Sequence, residues 1–329
     1  MQHANHLVVG VDVAKETFCV YAQPVSQKAI FETFKNQEEG FRCLLKHLPE
    51  NCTVVMEASG PYFLPLAQYL FDHQIQVSVV NPLAIKRFMQ AQLKRTKTDR
   101  VDAQGIAEYG TRMDLVYWKP KAENIQKIRE LNTLLERYQR QLTACTNQLT
   151  SLQSAGIKED LCEKLLIQEI DYYQQLIKQV TGQMESLVDA QTQDLRKRIE
   201  TIPGIGKKSS LLLLVACNCF ENFDNYKQVI SYLGLSPRVY ESGKSIKARA
   251  SICKMGMGHV RRTLYMASRA ARKHNAACKQ LYDRLIANGK PHKVAVIAVV
   301  NKLIKQVFAI LKNGTIYDPS FGQKAVIAK

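Results

Sequence analysis

The sequence lacks an uninterrupted apolar stretch long enough to span a bilayer. Its longest apolar runs, residues 211–217 and 294–300, fall far short of the roughly 20 residues that a membrane-spanning helix needs. Residues 1–13 show no basic segment followed by a long apolar core, so no secretion signal is visible. These absences predict a cytoplasmic protein with no membrane partner.

Cysteine pairs with metal-binding or disulfide spacing are also missing. The nine cysteines are scattered without a C-x-x-C pair, and the closest two, Cys217 and Cys219, fall in an apolar run. A disulfide framework and a structural zinc site are therefore disfavoured, and buried reduced thiols are expected. The 329 residues, 46% hydrophobic and 23% charged, are typical of a globular chain of about two domains with a possible connector.

Acidic residues are scarce in the last third of the chain. From residue 238 to residue 329 there are 19 Lys and Arg but only 3 Asp and Glu, whereas the rest is nearly neutral. Nearly all of the net charge of +17 thus lies in one segment. Because basic clusters bind phosphates by releasing counterions, this segment predicts a nucleic-acid partner.

The first segment alternates strands and helices. Runs rich in β-branched and aromatic residues predict strands at 7–13, 17–22, 30–34, 53–57 and 75–80. Helices are expected at about 37–47 and 62–72, and another after Asn81-Pro82, where proline suits a first turn. The pattern predicts a mixed α/β sheet covered by helices, in a domain of residues 1–118. Tyr117 and Trp118 are expected to anchor its end.

A heptad-like pattern dominates residues 119–200. Apolar or near-apolar residues alternate at spacings of three and four, first at Ile128, Leu131, Leu135, Tyr138, Leu142, Cys145, Leu149 and Leu152, then at Ile170, Tyr173, Ile177, Val180, Met184 and Leu187. This apolar seam predicts two long helices, either in an antiparallel hairpin or in an intermolecular coiled coil. We expect the seam to drive self-association.

A helical basic domain is predicted over residues 201–329. The stretch IPGIGKKSS is typical of a helix-hairpin-helix turn, in which backbone N–H groups approach a phosphate and Lys207 and Lys208 add charge. A tight interhelical turn with solvated lysines explains the motif equally well.

Four carboxylates lie in positions that favour chemistry. Asp12 and Glu57 fall within or at the end of apolar strands, where a charge is costly unless paired or metal-bound. Asp99 and Asp102 are three residues apart and share one helix face. Four such groups can form an oxygen-rich cage for Mg²⁺, as in phosphoryl transfer. Taken singly, they could instead be turn or helix-capping residues.

Several stretches together resemble the DEDD-type insertion-sequence transposases, a family that includes pilin-gene invertases and bridge-RNA-guided recombinases. GVDVAKETF, VVMEASGPY, VSVVNPLAIKRF and RTKTDRVDAQ are similar to its N-terminal domain. IPGIGKKSS, YLGLSPRVYESGKS, ICKMGMGHVRRTLYMAS and NGKPHKVAVIAVVNKL are similar to its C-terminal domain. The resemblance implies α/β plus all-α architecture: an RNase H-like (RuvC-like) domain, a coiled-coil connector and a helical transposase domain.

The resemblance also assigns roles to residues. Asp12, Glu57, Asp99 and Asp102 match the family's metal-binding tetrad, and Ser242 matches the serine implicated as nucleophile. Ser245 is the reserve candidate, and Cys253 replaces a serine found in many members, which we interpret as structural. Phosphate contacts are then expected around Ser242, from Lys244, Lys247, Arg249, Lys254, Arg261 and Arg262. His259 has no obvious metal-ligand companion and is interpreted as a contact or packing residue.

The resemblance implies a Mg²⁺-dependent DNA transposase or recombinase. It further implies a phosphoserine intermediate, a non-coding guide RNA, donor and target DNA, and a dimer or tetramer. A metal-dependent junction resolvase or nuclease that uses water is the main alternative. A non-catalytic nucleic-acid-binding assembly factor is the other, and the complete set of four acids argues against it.

Overall fold

The β-branched runs of the N-terminal segment form one five-stranded sheet. The computed structural model describes residues 6–24, 28–49, 51–93, 98–120, 122–156, 160–238, 241–242, 246–247 and 251–320. The strands are β1 (Leu7–Val13), β2 (Thr17–Ala22), β3 (Ile30–Lys35), β4 (Cys52–Glu57) and β5 (Gln76–Val80), in the order β3-β2-β1-β4-β5. β1, β2 and β3 pair antiparallel, whereas β1, β4 and β5 pair parallel. The predicted strands and the mixed sheet are confirmed.

Helices cover both faces of this sheet because its central strands are apolar on both sides. They are α1 (Glu38–His47), α2 (Leu64–Asp72), α3 (Pro82–Ala91) and α4 (Asp99–Arg112). One face buries Val9, Val11 and Val54 against Leu44 of α1 and Leu66 of α2. The opposite face packs against α3 and α4.

The end of this unit is fixed to the edge of the sheet. The Trp118 backbone N–H donates to the Val77 carbonyl at 2.7 Å, and Ser78 Oγ donates to the Val116 carbonyl at 3.0 Å. The Trp118 ring lies edge-on to Phe71, with centroids 5.9 Å apart. The chain forms two compact units, residues 1–120 and 121–329, so these contacts close the first unit just before the boundary.

The second unit begins with two long helices that pack antiparallel. They are α5 (Glu123–Ser154) and α6 (Asp160–Ser186). Tyr138 meets Tyr173 with ring centroids 6.2 Å apart, and Cys145 Sγ donates to Glu169 Oε2 at 3.1 Å. Later residues of α5 therefore contact earlier residues of α6, which is the pattern of an antiparallel pair.

Of the two arrangements predicted for the apolar seam, the chain shows the antiparallel hairpin, and self-association through the seam stays a prediction. Ile128 and Leu135 of α5 are buried against Val180 and Met184 of α6 in the same chain. Leu211 of a later helix also joins this cluster. The 3–4 spacing specified a helix partner but could not specify which chain supplies it, because a hairpin and a dimer bury the same pattern.

The rest of the second unit is helical around a large core. Its helices are α7 (Ala190–Glu200), α8 (Lys207–Ala216), α9 (Tyr226–Tyr232), α10 (Gly258–His274), α11 (Ala276–Ala287) and α12 (His292–Asn313), with a 3-10 turn at Asn218–Phe220. Ile202, Leu213, Val260 and Leu303 are among the residues of that core. The two units together confirm the α/β plus all-α class.

Helix α12 has the length and apolar composition that a membrane span needs, with a mean hydropathy of 2.0. Its uninterrupted apolar runs are short because Asn301, Lys302 and Lys305 interrupt the apolar sequence without ending the helix. Half of the apolar window is buried, and eight α12 residues, including Val299 and Leu303, lie in the core of the second unit. The helix therefore serves as a core helix of this unit.

Candidate metal centre and nucleophile hairpin

Asp12 and Glu57 lie on adjacent parallel strands at the same level. The register of β1 and β4 pairs Gly10 with Val55 and Val11 with Met56, so the next residues along the two strands are Asp12 and Glu57. Both side chains are half-buried. Because neighbouring strands are about 4.8 Å apart, the two carboxylates are close neighbours at one edge of the sheet.

Helix α4 packs against the sheet face that carries both acids. A Cβ at Gly10 would lie 2.2 Å from the Ala103 carbonyl oxygen, and a Cβ at Gly110 would lie 2.7 Å from Val8 Cγ1. The helix thus runs antiparallel to β1. Since side chains alternate along a strand, Asp12 shares this face with Gly10, and the N-terminal turn of α4 lies towards it.

That first turn of α4 carries the other two acids. Thr98 caps the helix by accepting a hydrogen bond from the Val101 N–H at 3.3 Å. Asp99 is exposed and Asp102 is half-buried. Acidic side chains are favourable at a helix N-terminus because the helix dipole is positive there. The same turn therefore presents two carboxylates and stabilises them.

The pKa of Cys19 provides an electrostatic indication that the strand and helix acids converge. Cys19 lies opposite Asp12 in the antiparallel pair of β1 and β2. Burial raises the pKa of its thiol, a hydrogen bond with Thr33 lowers it, and the negative charges of Asp99 and Asp12 raise it further. Both carboxylates thus act on one buried thiol, which places them on the same side of the sheet.

Glu57 is oriented by its own turn. Ser59 Oγ donates a hydrogen bond to Glu57 Oε1 at 2.8 Å. The Ala58 N–H donates to the Val80 carbonyl at 2.9 Å, which extends the pairing of β4 and β5 past the carboxylate. These bonds fix the backbone and one oxygen of Glu57, and leave the other oxygen available for a ligand or a proton.

The chemistry of the four carboxylates fits a hard divalent cation. Mg²⁺ prefers oxygen ligands and is commonly held by one or two carboxylates together with substrate phosphates. Within the described ranges, no three His, Cys, Asp or Glu side chains lie close enough to form a ready coordination sphere. The match to a metal therefore rests on the donor type of the four acids and on the elements that carry them, β1, β4 and α4.

Ser242 lies in one of two short two-stranded ladders in the second unit. Strand β6 (Pro237–Arg238) pairs with β9 (Ser251–Ile252), and β7 (Glu241–Ser242) pairs with β8 (Ile246–Lys247). Ser242 is opposite Ile246, in the last described pair before the turn. Ser245, Lys244 and Arg249 lie outside the described residues.

The base of this hairpin is clamped to α9 and α10, a feature that the sequence reasoning missed. Gly234 and Gly256 have φ of 70° and 122°, and a Cβ on either would lie within 2.4 Å of a backbone oxygen. The Cys253 N–H donates to the Ser236 carbonyl at 2.8 Å. Arg261 Nη1 donates to the Leu233 carbonyl at 3.0 Å. The sequence signal for this feature is the pair of glycines in YLGLSP and KMGMG. Each takes a left-handed backbone conformation, which glycine adopts without steric cost.

The other predicted phosphate contacts occupy different positions. Lys207, Lys208, Lys254 and Arg262 are exposed, and Lys208 Nζ donates to Gln139 Oε1 at 3.2 Å. Arg261 is half-buried through its bond to the Leu233 carbonyl. Lys247 lies in β8. These assignments to nucleic acid stay predictions.

The turn between α7 and α8 is held by a buried arginine. Arg196 is 3% exposed, and its guanidinium contacts Glu185 and Glu200. It also donates to the Lys207 carbonyl at 3.2 Å. The hydrogen bond to Glu185 raises the pKa of Arg196 and lowers that of Glu185. The turn before α8 thus has a specific ionic support.

Comparison with known proteins defines the class. Residues 9–154 match a family profile described as a transposase, and residues 196–283 match that of the transposase IS116/IS110/IS902 family. The chain belongs to this family of DNA transposases and recombinases.

Particular relatives extend this assignment along the whole chain. The pilin gene-inverting protein of Moraxella bovis is 32% identical, covering 94% of this chain and 97% of that protein. The transposase for insertion sequence element IS1111A of Coxiella burnetii is 23% identical, covering 94% and 91%. Among solved structures, Thermus thermophilus RuvC in complex with Holliday junction substrate aligns with 34% of this chain and 99% of its own, at a TM-score of 0.27 and 14% identity.

Proposed function

We propose that this transposase cleaves and rejoins DNA through a covalent phosphoserine intermediate at Ser242, with Asp12, Glu57, Asp99 and Asp102 as the ligands of Mg²⁺. The observation that carries the proposal is the placement of two strand acids and two helix acids at one edge of the first unit's sheet.

The four carboxylates fit a hard divalent cation by donor type. When bound, Mg²⁺ supplies positive charge that stabilises the negative charge developing on a phosphate in phosphoryl transfer. Ser59, which holds one oxygen of Glu57, acts as a positioning residue.

In the covalent step, Ser242 Oγ attacks the scissile phosphorus. A new Oγ–P bond forms as the bond from phosphorus to one sugar oxygen breaks. A carboxylate of the tetrad takes the hydroxyl proton, and the departing sugar oxygen gains a proton. The phosphoserine conserves the energy of the phosphodiester, so that a new DNA end can displace the serine and rejoin the strand.

The partners follow from the charge and from the family. Lys207, Lys208, Lys254 and Arg262, together with Lys244, Lys247, Arg249 and Arg261, would contact donor and target DNA. We propose a guide RNA transcribed from the element itself. We also propose a dimer or tetramer, located in the cytoplasm, in which the carboxylates of one copy act with Ser242 of another.

The experiment that tests this function traps the intermediate. Labelled DNA carrying the element's ends is incubated with protein and Mg²⁺, run on a denaturing gel, and the shifted band is mapped by peptide mass. We expect an adduct on Ser242 that Ser242→Ala abolishes without loss of DNA binding, since one hydroxyl adds little to many phosphate contacts.

Matched variants in the same region serve as controls. Ser245→Ala and Cys253→Ser should both form the adduct. An adduct on Ser245 or Cys253 would relocate the nucleophile. Mg²⁺-dependent cleavage with no adduct at all would favour a water-using nuclease instead. Binding without cleavage by the intact protein would favour an assembly factor.

The guide RNA has a separate test. RNA that copurifies with the protein is sequenced and compared with total RNA from the same cells. Enrichment of one structured RNA is expected, and a copurified pool that matches bulk RNA would remove the guide from the proposal.

A further inference from the structure

A polar cavity in the second unit brings Lys208 and Arg262, two of the proposed DNA contacts, together with side chains that have no role in the function proposed above. It has a volume of about 360 Å³ and lies among α5, α8 and α10. Its charged lining comprises Glu136 and Arg140 of α5, Lys208 of α8, and His259 and Arg262 of α10. Three permanent cations thus face a single acid, and the histidine lies among them.

The side chains in this cavity are organised around Glu136. Its Oε1 lies 3.6 Å from His259 Nδ1, and its Oε2 lies 3.5 Å from the Arg140 guanidinium. The side chains of Glu136 and His259 are 18% and 26% exposed. Lys208 reaches α5 by its hydrogen bond to Gln139. The cavity therefore holds its cations in fixed positions and retains an excess of positive charge.

The surroundings of His259 oppose protonation of its imidazole and lower its pKa. Burial lowers the pKa of His259, the Glu136 carboxylate raises it, and the charges of Arg262, Arg129 and Arg140 lower it again. Lys208, across the cavity on α8, adds a further positive charge. An anion that entered here would favour the protonated imidazole, since nearby negative charge stabilises a cation.

Phosphate is the anion that this lining fits. Arginine and lysine bind phosphate oxygens through charge-assisted hydrogen bonds, and the hydroxyl of Thr263 lies in the same lining. A single acid surrounded by cations disfavours a cationic ligand. A metal site is disfavoured too, because the lining offers one carboxylate and one imidazole.

We propose that this cavity binds one backbone phosphate of DNA and that His259 takes up a proton from solvent as the phosphate enters. The proposal rests on the proposed function, in which the second unit holds DNA. It adds a particular binding position and makes DNA affinity depend on pH. Glu136 keeps the cations in place and also opposes the phosphate by its charge.

The first test uses Arg262→Ala and Arg269→Ala in the full-length protein. Both arginines are exposed, both lie on α10, and they are seven residues apart, so they share a helix face about 10 Å apart. Binding of labelled duplex DNA is measured against salt concentration. Arg262→Ala should weaken binding about tenfold more than Arg269→Ala, and should reduce the salt slope by about 1.

The second test uses the pH dependence of binding. From about pH 8 to about pH 6, affinity of the parent should rise more steeply than that of His259→Gln, by up to about tenfold per pH unit for one linked proton. His274→Gln, on the exposed end of the same helix, should behave like the parent. Glu136→Gln should bind DNA more tightly, which a merely structural carboxylate would not produce.

The outcomes separate this inference from the function on which it rests. If the intact protein shows no salt-dependent DNA binding, the proposed function is overturned. If it binds DNA but Arg262→Ala matches Arg269→Ala, or His259→Gln keeps the full pH slope, the cavity assignment alone is wrong. RNA of the same sequence is measured in parallel. An effect of Arg262→Ala on RNA but not on DNA would overturn the assignment to DNA.

Discussion

Replacing Gly10 by alanine should detach α4 from the sheet and so disperse the four acids. An alanine Cβ at this position would lie 2.2 Å from the Ala103 carbonyl oxygen and 2.4 Å from the Ala107 nitrogen. Both are backbone atoms of α4, so no side chain can rotate away, and the helix itself must move. Asp99 and Asp102 lie on that helix and would move with it.

The magnitude follows from the cost of overpacking. Inserting a methyl group into a tightly packed contact typically costs 1–3 kcal/mol, and a backbone collision belongs at the upper end, about 3 kcal/mol. For a unit of residues 1–120 this corresponds to a fall in melting temperature of about 10 °C. Calorimetry should show the first unit melting earlier while the second unit is unchanged, and DNA cleavage should be lost.

Two other glycines provide matched controls. A Cβ at Gly110, also on α4, would meet only the side chains of Val55 and Val8, which can rotate, so Gly110→Ala should cost less. A Cβ at Gly182, in α6, would meet nothing within 4 Å, and Gly182→Ala should stabilise the second unit by about 0.5–1 kcal/mol. If Gly10→Ala melts like the parent and cleaves DNA normally, the reasoning about helix placement is refuted.

Further predictions concern the acids and the second unit. Asp12→Asn and Asp102→Asn should each abolish strand cleavage, because each variant removes one proposed Mg²⁺ ligand. Normal cleavage by either variant would remove the metal assignment. Arg196→Met should destabilise the second unit by about 2 kcal/mol, since Glu185 is left without its partner. Arg196 holds the pKa of Glu185 below its ordinary 4.5. The stabilisation from this pair is therefore complete above pH 4.5 and is lost as the pH falls through the lowered pKa. In urea unfolding, the difference in stability between parent and variant should accordingly shrink in acid. Leu135→Lys should lower the free energy of unfolding by about 3 kcal/mol, because Leu135 is buried within its own chain. Sedimentation should not change. A smaller oligomer with unchanged stability would instead show that the seam forms an interface between copies of the chain.

Most of the first unit could be predicted from the sequence because its signals are local. The β-branched runs, Asn81-Pro82 and Thr98 specify strands and helix starts through contacts within a few residues. Asp12 and Glu57 could be singled out because charge in an apolar strand is unusual, and Asp99 and Asp102 because three-residue spacing places them on one helix face. Their convergence could not be derived from pattern alone, since it depends on the register of β1 with β4 and on the direction of α4.

The sequence by itself determined the element types, the 3–4 seam, the concentration of positive charge after residue 237 and the family of the chain. Only the tertiary structure decided that α5 pairs with α6 of the same chain, because an apolar stripe does not encode its partner. It also decided that His259 faces Glu136 across 3.6 Å, a contact between residues 123 positions apart. The close backbone contacts at Gly234 and Gly256, and the ion pairs of the buried Arg196, were likewise decided only by the tertiary structure. Each depends on which distant backbone comes close, and this is set by how whole helices and strands pack rather than by any local sequence preference.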